Sequence, residues 1–458
     1  MRHPFLLLLL ALALSLPSSA QTQGRISADT LAKYGVEVRR RDAANGDYGG
    51  FYTWPELVAQ MRDWATKHAD IVQVSSLGKT TMGHPIPLFR ISGTAQTFAP
   101  KPEILYLVGV HPREQAPTVC IVKFVNELLN GYGHDDDITS LLDTRTIWVV
   151  PMLNVDGKIY DFRQGNGTTK GADWRKNRRK NPDGTRGVDL NRNYPTRWGG
   201  NRAYDKAWKT TTTDTKGNIY EGPRPASEPE TRAVMNFVSS HPLRILLDLH
   251  SPLHEICAPG FLSPRERAVF AALLDKMRAT QKAPYPLQLP EAGGDPPTET
   301  RGGNSGVSYP WAYYTTGAYS LNVEIGLKGR YPAPATIERE YTNNVRGVLF
   351  TLLRECPHLK LASKGDLTFG DSIWEGVPKA GERVVWHPKI NGPFSYASAL
   401  SASTAGIIPM EFCLAPATNG FPIFIQKGAK RGTRIPLSLY VWNEERQVSI
   451  LNETLVVK

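Results

Sequence analysis

The chain has 458 residues, more than one hydrophobic core usually serves, so two folded units are expected. Its 41% hydrophobic and 21% charged residues exclude extensive disorder. The net charge of +11 could draw acidic peptides or anionic cell-wall polymers, although solubility is the simpler reading and no nucleic-acid partner is expected.

Arg2 and His3 precede an apolar run from Phe5 to Leu16, which gives way to Ser18, Ser19 and Ala20. A basic start, an apolar stretch and small residues read as a signal peptide over residues 1–20, cleaved near Ala20. The run is short of the ~20 residues that span a bilayer. No later segment is long and apolar enough, so the mature chain is expected to be exported, periplasmic or extracellular, without a membrane span. Residues 21–47 are polar and read as a linker, too short for an independent inhibitory domain.

From Phe51 to His68 the spacing of Leu57, Met61, Trp64 and Ala65 predicts an amphipathic helix. Short β-rich runs then follow at Ile104–Val110, Thr146–Leu153, Ile245–Leu249 and Tyr319–Ile325. Helical stretches at Thr118–Leu129 and Glu228–Ser239 lie between them. The alternation predicts an α/β unit over residues 48–362, with a mixed, mainly parallel central sheet flanked by helices. Sites in such folds gather at the carboxyl ends of the strands. Residues 363–458 lack a helical pattern and alternate instead at Arg383–Trp386, Pro422–Gln426, Ile435–Trp442 and Val448–Val457, the last two flanking a hairpin at Asn443–Gln447. An all-β accessory domain, a sandwich, is expected there. Cys120, Cys257, Cys356 and Cys413 are too few for a disulfide framework and read as core residues, although one bridge is compatible with export.

Five strings carry chemistry. GVHPREQAP places His111 and Glu114 three residues apart, and a turn can aim imidazole and carboxylate at one point. LLDLHSP places His250 at the end of a buried strand, where an imidazole is costly unless paired or bound to metal. Two histidines and a carboxylate leave zinc an open position for water, as a catalytic site requires. GVDLNRNYP sets Asn191 beside Arg192, a pair able to grip a carboxylate. In DWRKNRRKNPDG, Trp174 beside Arg175 suggests an arginine held against the fold and pointed inward. YSLNVEIG puts Glu324 in an apolar strand, where a carboxylate is either paired or functional.

Together these strings resemble the zinc carboxypeptidases of the carboxypeptidase A/T family, in their bacterial secreted form, from about Tyr52 to Leu353. The order HxRE, NxDG (Asn154 to Gly157), WRKxR, DLNRNY, HS and a strand-end Glu carries the likeness. The resemblance implies one zinc ion held by His111, Glu114 and His250, with Asp189 orienting the first histidine. It implies Asn191 and Arg192 on the substrate's terminal carboxylate, and Arg113 as a further substrate-binding residue. Arg175 would stabilise the oxyanion, and Glu324 would be the general base. Peptide or protein C-termini would be the substrates, cell-wall stem peptides the close rival, and a non-catalytic peptide-binding protein the other class. An acyl-amino-acid deacylase fits the WRKNR string and the signal peptide poorly.

Two departures accompany the resemblance. The family's capping tyrosine falls on Gly302, with Arg301, Tyr309 or Tyr313 as substitutes. Pro252 replaces an aromatic residue at a bond that is cis in the family. No acid occurs from Gly302 to Tyr319, so an apolar or aromatic C-terminal residue is expected to be preferred over a basic one.

Overall fold

The computed structural model describes residues 50–458 apart from 98–99, 166–170, 197, 199–210, 261, 291–304, 395, 401–405, 408–411, 415–419 and 426. The expected signal peptide, the linker, Arg301 and Gly302 lie outside the described residues.

Helix α1 (Trp54–Lys67) opens on a capping box in which Thr53 and Glu56 satisfy each other's backbone amides. Such a cap contributes about 0.5–2 kcal/mol. The helix buries Leu57, Met61 and Trp64, as its spacing predicts, and the Trp64 indole donates to Asn126 at 2.7 Å.

The chain continues through β1 (Val72–Lys79), β2 (Pro85–Ile91), β3 (Glu103–Val108), α2 (Ala116–Gly131), α3 (Asp136–Thr144), β4 (Thr146–Val150) and α4 (Val155–Gln164). After α5 (Pro229–Ser240) come β5 (Leu243–His250), β6 (Glu255–Cys257), α6 (Pro264–Ala279), β7 (Leu287–Gln288), α7 (Ser308–Thr316) and β8 (Tyr319–Glu324). Helices α8 (Pro334–Glu340) and α9 (Arg346–Glu355) close this part. The eight strands form one sheet in the order β1-β2-β4-β3-β5-β8-β6-β7. Its middle, β4-β3-β5-β8, is parallel, β1 and β2 pair antiparallel to their neighbours, and β6 is antiparallel to β8 but parallel to β7.

Both faces of the middle are covered. Along β3, Ile104, Tyr106 and Val108 join one apolar core, and Leu105 and Leu107 join the other. That is why these strands read as unbroken apolar runs. Strand β1 lies at the sheet's edge with half-exposed serines, and β6 and β7 have three and two residues, so none announces itself by a dense apolar run.

Residues beyond 362 form two further sheets. One has four strands, β10 (Thr368–Glu375), β11 (Arg383–Asn391), β13 (Gly406–Ile407) and β15 (Phe421–Ile425). The other has five, β9 (Ser363–Lys364), β12 (Tyr396–Leu400), β14 (Phe412–Leu414), β16 (Arg434–Trp442) and β17 (Gln447–Val456). Val384, Trp386 and Ile423 of the first share a core with Ala397, Leu437, Leu439 and Val441 of the second. The β16–β17 hairpin turns where its sequence predicts, but it also reaches out of the sandwich. Trp442 is fully buried in the larger α/β core, and its indole donates to the Tyr314 carbonyl at 3.1 Å. The guanidinium of Arg446 lies 4.0 Å from the Tyr319 ring centroid and 3.5 Å from Glu266. Cys120, Cys257 and Cys356 are buried free thiols.

Candidate metal centre and cleft

Strands β3, β5 and β8 lie side by side and run the same way, so their carboxyl ends meet at one edge. Val108 faces Leu249 across β3–β5, and His250 faces Glu324 across β5–β8. The turn after β3 begins at Gly109, whose φ of +71° and 2.9 Å approach of a Cβ position to the Met152 backbone leave no room for a side chain. It delivers His111 and Glu114 beside His250.

The ligating atoms of His111, Glu114 and His250 all lie within 4.8 Å of one another, and all three residues are buried. Nδ1 of His111 is 2.7 Å from one Glu114 oxygen, and Nδ1 of His250 is 2.9 Å from the other. Each imidazole thus turns Nδ1 to the centre. Its Nε2 meets an aspartate: His111 lies 3.1 Å from Asp189, and His250 lies 2.8 Å from Asp248. Outer carboxylates fixing ring and tautomer are the general support of metal-bound imidazoles. Two imidazoles and one carboxylate, braced in this way, suit zinc. Burial raises the pKa of Glu114, but the two imidazoles outweigh it and hold the carboxylate well below its usual range.

Asp189 also accepts from Arg175 Nε at 2.8 Å and from the Asn191 amide at 3.0 Å. Burial raises the pKa of Asp189, but Arg175, the His111 imidazole and Arg192 outweigh it and hold the carboxylate well below its usual range. Arg175 therefore points inward, 3.7 Å from Glu114. In the same basic string Arg178 takes the stacking role, 3.5 Å from the Tyr160 centroid and 4.6 Å from that of Trp174.

The Asn191 side chain sits 3.4 Å from His250 Nε2 and accepts from the Ser308 amide at 3.2 Å. Arg192 is 3% exposed and donates to the Asn191 carbonyl at 2.6 Å. Burial pulls its pKa down to about 10, which still leaves it charged at neutral pH. A Cβ at Gly306 would meet the Arg192 carbonyl oxygen at 2.0 Å, so the loop before α7 fits over the arginine only as glycine. Arg113 packs at the cleft's outer rim, 3.5 Å from Asp173, which Arg330 also engages at 3.2 Å.

Glu324 opens into the same cleft. Burial and the nearby Glu114 carboxylate raise its pKa to about 8. The cleft is roughly 220 Å³ and is lined by His111, Arg113, Glu114, Arg175, Asn191, Arg192 and Glu324, together with Glu255, Cys257, Tyr309 and Asn322. The sequence-predicted site residues thus converge. Of the residues offered as substitutes for the capping tyrosine, Tyr309 lines the cleft, whereas Tyr313 is fully buried beside Arg446. The Ser251–Pro252 bond is cis.

Three participants escaped the sequence reading. Asp248 lies in the strand that presents His250, and only the alternation DxH of β5 hints at it. Lys158, 1% exposed, donates to the Pro112 carbonyl at 3.0 Å and to Gln115 at 2.5 Å, bracing the loop that carries His111 and Glu114. Glu255 enters from β6, a strand too short to recognise.

A parallel-centred α/β sheet with a buried His-Glu-His cluster at its strand ends defines a mononuclear metal-site fold. The chain belongs to the zinc carboxypeptidase family: the peptidase M14 model matches residues 57–347. It is similar to the mast cell carboxypeptidase A of Rattus norvegicus, 32% identical over 45% of this chain and 46% of the relative. It is also similar to a zinc carboxypeptidase of Saccharothrix mutabilis subsp. capreolus, 31% identical over 36% of each, and to human carboxypeptidase B, 28% identical over 66% of this chain and 68% of the relative. The chain spans less than half the length of the first of these curated relatives. Its fold resembles that of thrombin activatable fibrinolysis inhibitor, with a TM-score of 0.56 at 23% identity over 68% of this chain and 74% of the other. It likewise resembles carboxypeptidase A of Helicoverpa armigera, with a TM-score of 0.55 at 19% identity over 72% and 79%.

Proposed function

We propose that this chain is a zinc-dependent carboxypeptidase that hydrolyses the last peptide bond of its substrates. The observation that carries this reading is the buried Arg192–Asn191 pair opening into the same cleft as the His-Glu-His cluster and Glu324. A guanidinium and an amide side by side bind a carboxylate through directed hydrogen bonds. A chain continuing past that point would bury a cation without a counter-charge, which restricts cleavage to chain ends.

His111, Glu114 and His250 would hold one zinc ion, which supplies Lewis acidity that lowers the pKa of water to about 7. Glu324, at the end of β8, accepts a proton from the attacking water and returns it to the leaving amine. Arg175, fixed by Asp189, presents its remaining N–H groups to the oxygen that gains charge as the carbonyl is attacked. Asp189 and Asp248 keep the two imidazoles oriented, and Arg113 contacts substrate further from the terminus. The chain's N-terminal pattern supports export, which would place the activity outside the cytoplasm. Among the described residues no helix is long and apolar enough to cross a membrane.

The test uses matched peptides with free and amidated C-termini, with and without a zinc chelator. Release of one residue at a time from the free form alone, abolished by the chelator and restored by zinc, is the expected result. Equal cleavage of both forms would remove the carboxylate anchor, and chelator-resistant cleavage would remove the metal. Peptidoglycan stem peptides, as a further arm, separate a cell-wall substrate from general peptides.

A further inference from the structure

One wall of the cleft, beside Glu324, is polar. Strand β6 lies antiparallel to β8, with Glu255 opposite Glu324 and Cys257 opposite Asn322. Alternate residues of a strand share a face, and all four line the cleft, joined by Tyr309 from the first turn of α7. The Glu255 carboxylate accepts from Gln288 Nε2 at 3.3 Å. Among the described residues no cation pairs with it. Nor, among the described residues, does the Asn322 amide or the Tyr309 hydroxyl have a hydrogen-bond partner, although both residues are under a tenth exposed. Burial also raises the pKa of Glu255 and, further, that of Tyr309, as expected where charge lacks a counterpart.

We propose that this wall of the cleft receives the side chain of the substrate's last residue and selects a cationic one, lysine or arginine, with Glu255 supplying the charge and Asn322 and Tyr309 accepting its remaining N–H groups. An ammonium brings three donors and a guanidinium five, with no acceptor in either. Three acceptors, one of them anionic, complement such a group. A leucine or phenylalanine side chain would instead offer no donor to any of the three, leaving the half-buried Glu255 with Gln288 alone, an arrangement that a polar pocket rejects. The acid is supplied by the strand after the second histidine, so a search confined to residues 302–319 does not meet it. The proposal rests on the carboxypeptidase reading above and adds to it the class of residue released.

The experiment compares kcat/KM of the zinc-loaded protein for peptides that differ only in a C-terminal Lys, Arg, Leu, Phe or Glu. It is run with the wild type, Glu255→Gln and Glu255→Leu, each verified by its thermal unfolding transition. The wild type is expected to favour Lys and Arg over Leu by at least about tenfold. Glu255→Gln should reduce that ratio by about tenfold, and Glu255→Leu should reverse it. As a readout independent of turnover, arginine should bind the metal-free wild type more tightly than norleucine by calorimetry, and Glu255→Leu should abolish the difference. A wild type that favours Leu or Phe overturns the proposal while leaving the carboxypeptidase reading intact, as does a Lys-to-Leu ratio that Glu255→Leu does not move. Hydrolysis of none of the peptides overturns both.

Discussion

Asp248 holds two parts of the cleft at once: one carboxylate oxygen lies 2.8 Å from His250 Nε2, and the other accepts the Ser308 hydroxyl. Ser308 in turn gives its backbone amide to Asn191. The second histidine of the metal cluster and the asparagine of the carboxylate clamp are therefore set by one buried acid. Asp248→Asn should lower zinc affinity by about 10–100-fold, the usual effect of removing an outer partner of a metal-bound imidazole. Competition with a chromogenic chelator measures this, and unchanged affinity would show that the ring needs no such support.

Lys158 braces the metal loop: its ammonium shares the Pro112 carbonyl with the Gln115 side-chain amide and is the donor to the Gln115 side-chain oxygen. Burial lowers its pKa to about 8. Lys158→Met keeps the apolar stem but leaves the buried Gln115 side-chain oxygen without its donor, at a cost of about 1–3 kcal/mol. Denaturant unfolding of the zinc-loaded protein should show that loss. Stability equal to wild type would mean that the loop holds itself.

The Glu324 carboxyl gives the metal-free protein a pH dependence of known sign. Its folded pKa of about 8 lies above the ordinary value of 4.5. Below pH 4.5 it is protonated in folded and unfolded chains alike. As pH rises from 4.5 towards about 8 the folded state keeps a proton that the unfolded chain has released, so stability is lost across that window and levels off above it. Glu324→Gln removes the loss. The variant should gain on the wild type by about 1–2 kcal/mol between pH 5 and pH 8, a figure reduced for the cleft's access to water. Zinc should shrink the gap, because a nearby cation favours the ionised carboxylate. A gap that does not change with pH would show Glu324 to be ionised throughout.

At the junction of the two parts, Arg446 is 4% exposed and Trp442 is fully buried. Arg446→Ala leaves Glu266 buried without its cation and should cost about 3–5 kcal/mol. Trp442→Ala opens a cavity and should cost a similar amount. Thermal unfolding with intact β-sheet signal at low temperature is the expected behaviour. A melting temperature unmoved by either change would mean that the sandwich attaches elsewhere.

Much of this arrangement is legible in the sequence because its signals are local. A histidine ending an apolar strand, or a carboxylate interrupting one, violates the burial rule where it stands, so His250 and Glu324 draw notice on their own. Parallel strands β3, β4, β5 and β8 are equally plain, since burial on both faces removes polar residues from them. What was missed depends on pairing across the chain. Glu255 reads as a surface residue until β6 is placed against β8, and β6 is only three residues long. Lys158 sits in a helix of mixed polarity, and nothing nearby shows that its ammonium meets a loop 46 residues earlier. Arg178 and Arg175 share one basic string, and only the fold decides which stacks and which turns inward.

The short helix α7 has a different neighbour at each end. In its first turn Tyr309 lines the reaction cleft and Ser308 holds Asn191 and Asp248, and the Tyr314 carbonyl in its last receives the indole of Trp442. Nine residues thus tie the accessory sheets to the floor of the pocket as a rigid strut. Trimming those sheets away would strip the lid from an aromatic nest of Tyr313, Tyr314 and Tyr319 and slacken the anchorage of Asn191 from the far side. Loss of turnover on truncation would then report a displaced floor, even with every residue of the cleft still in the chain.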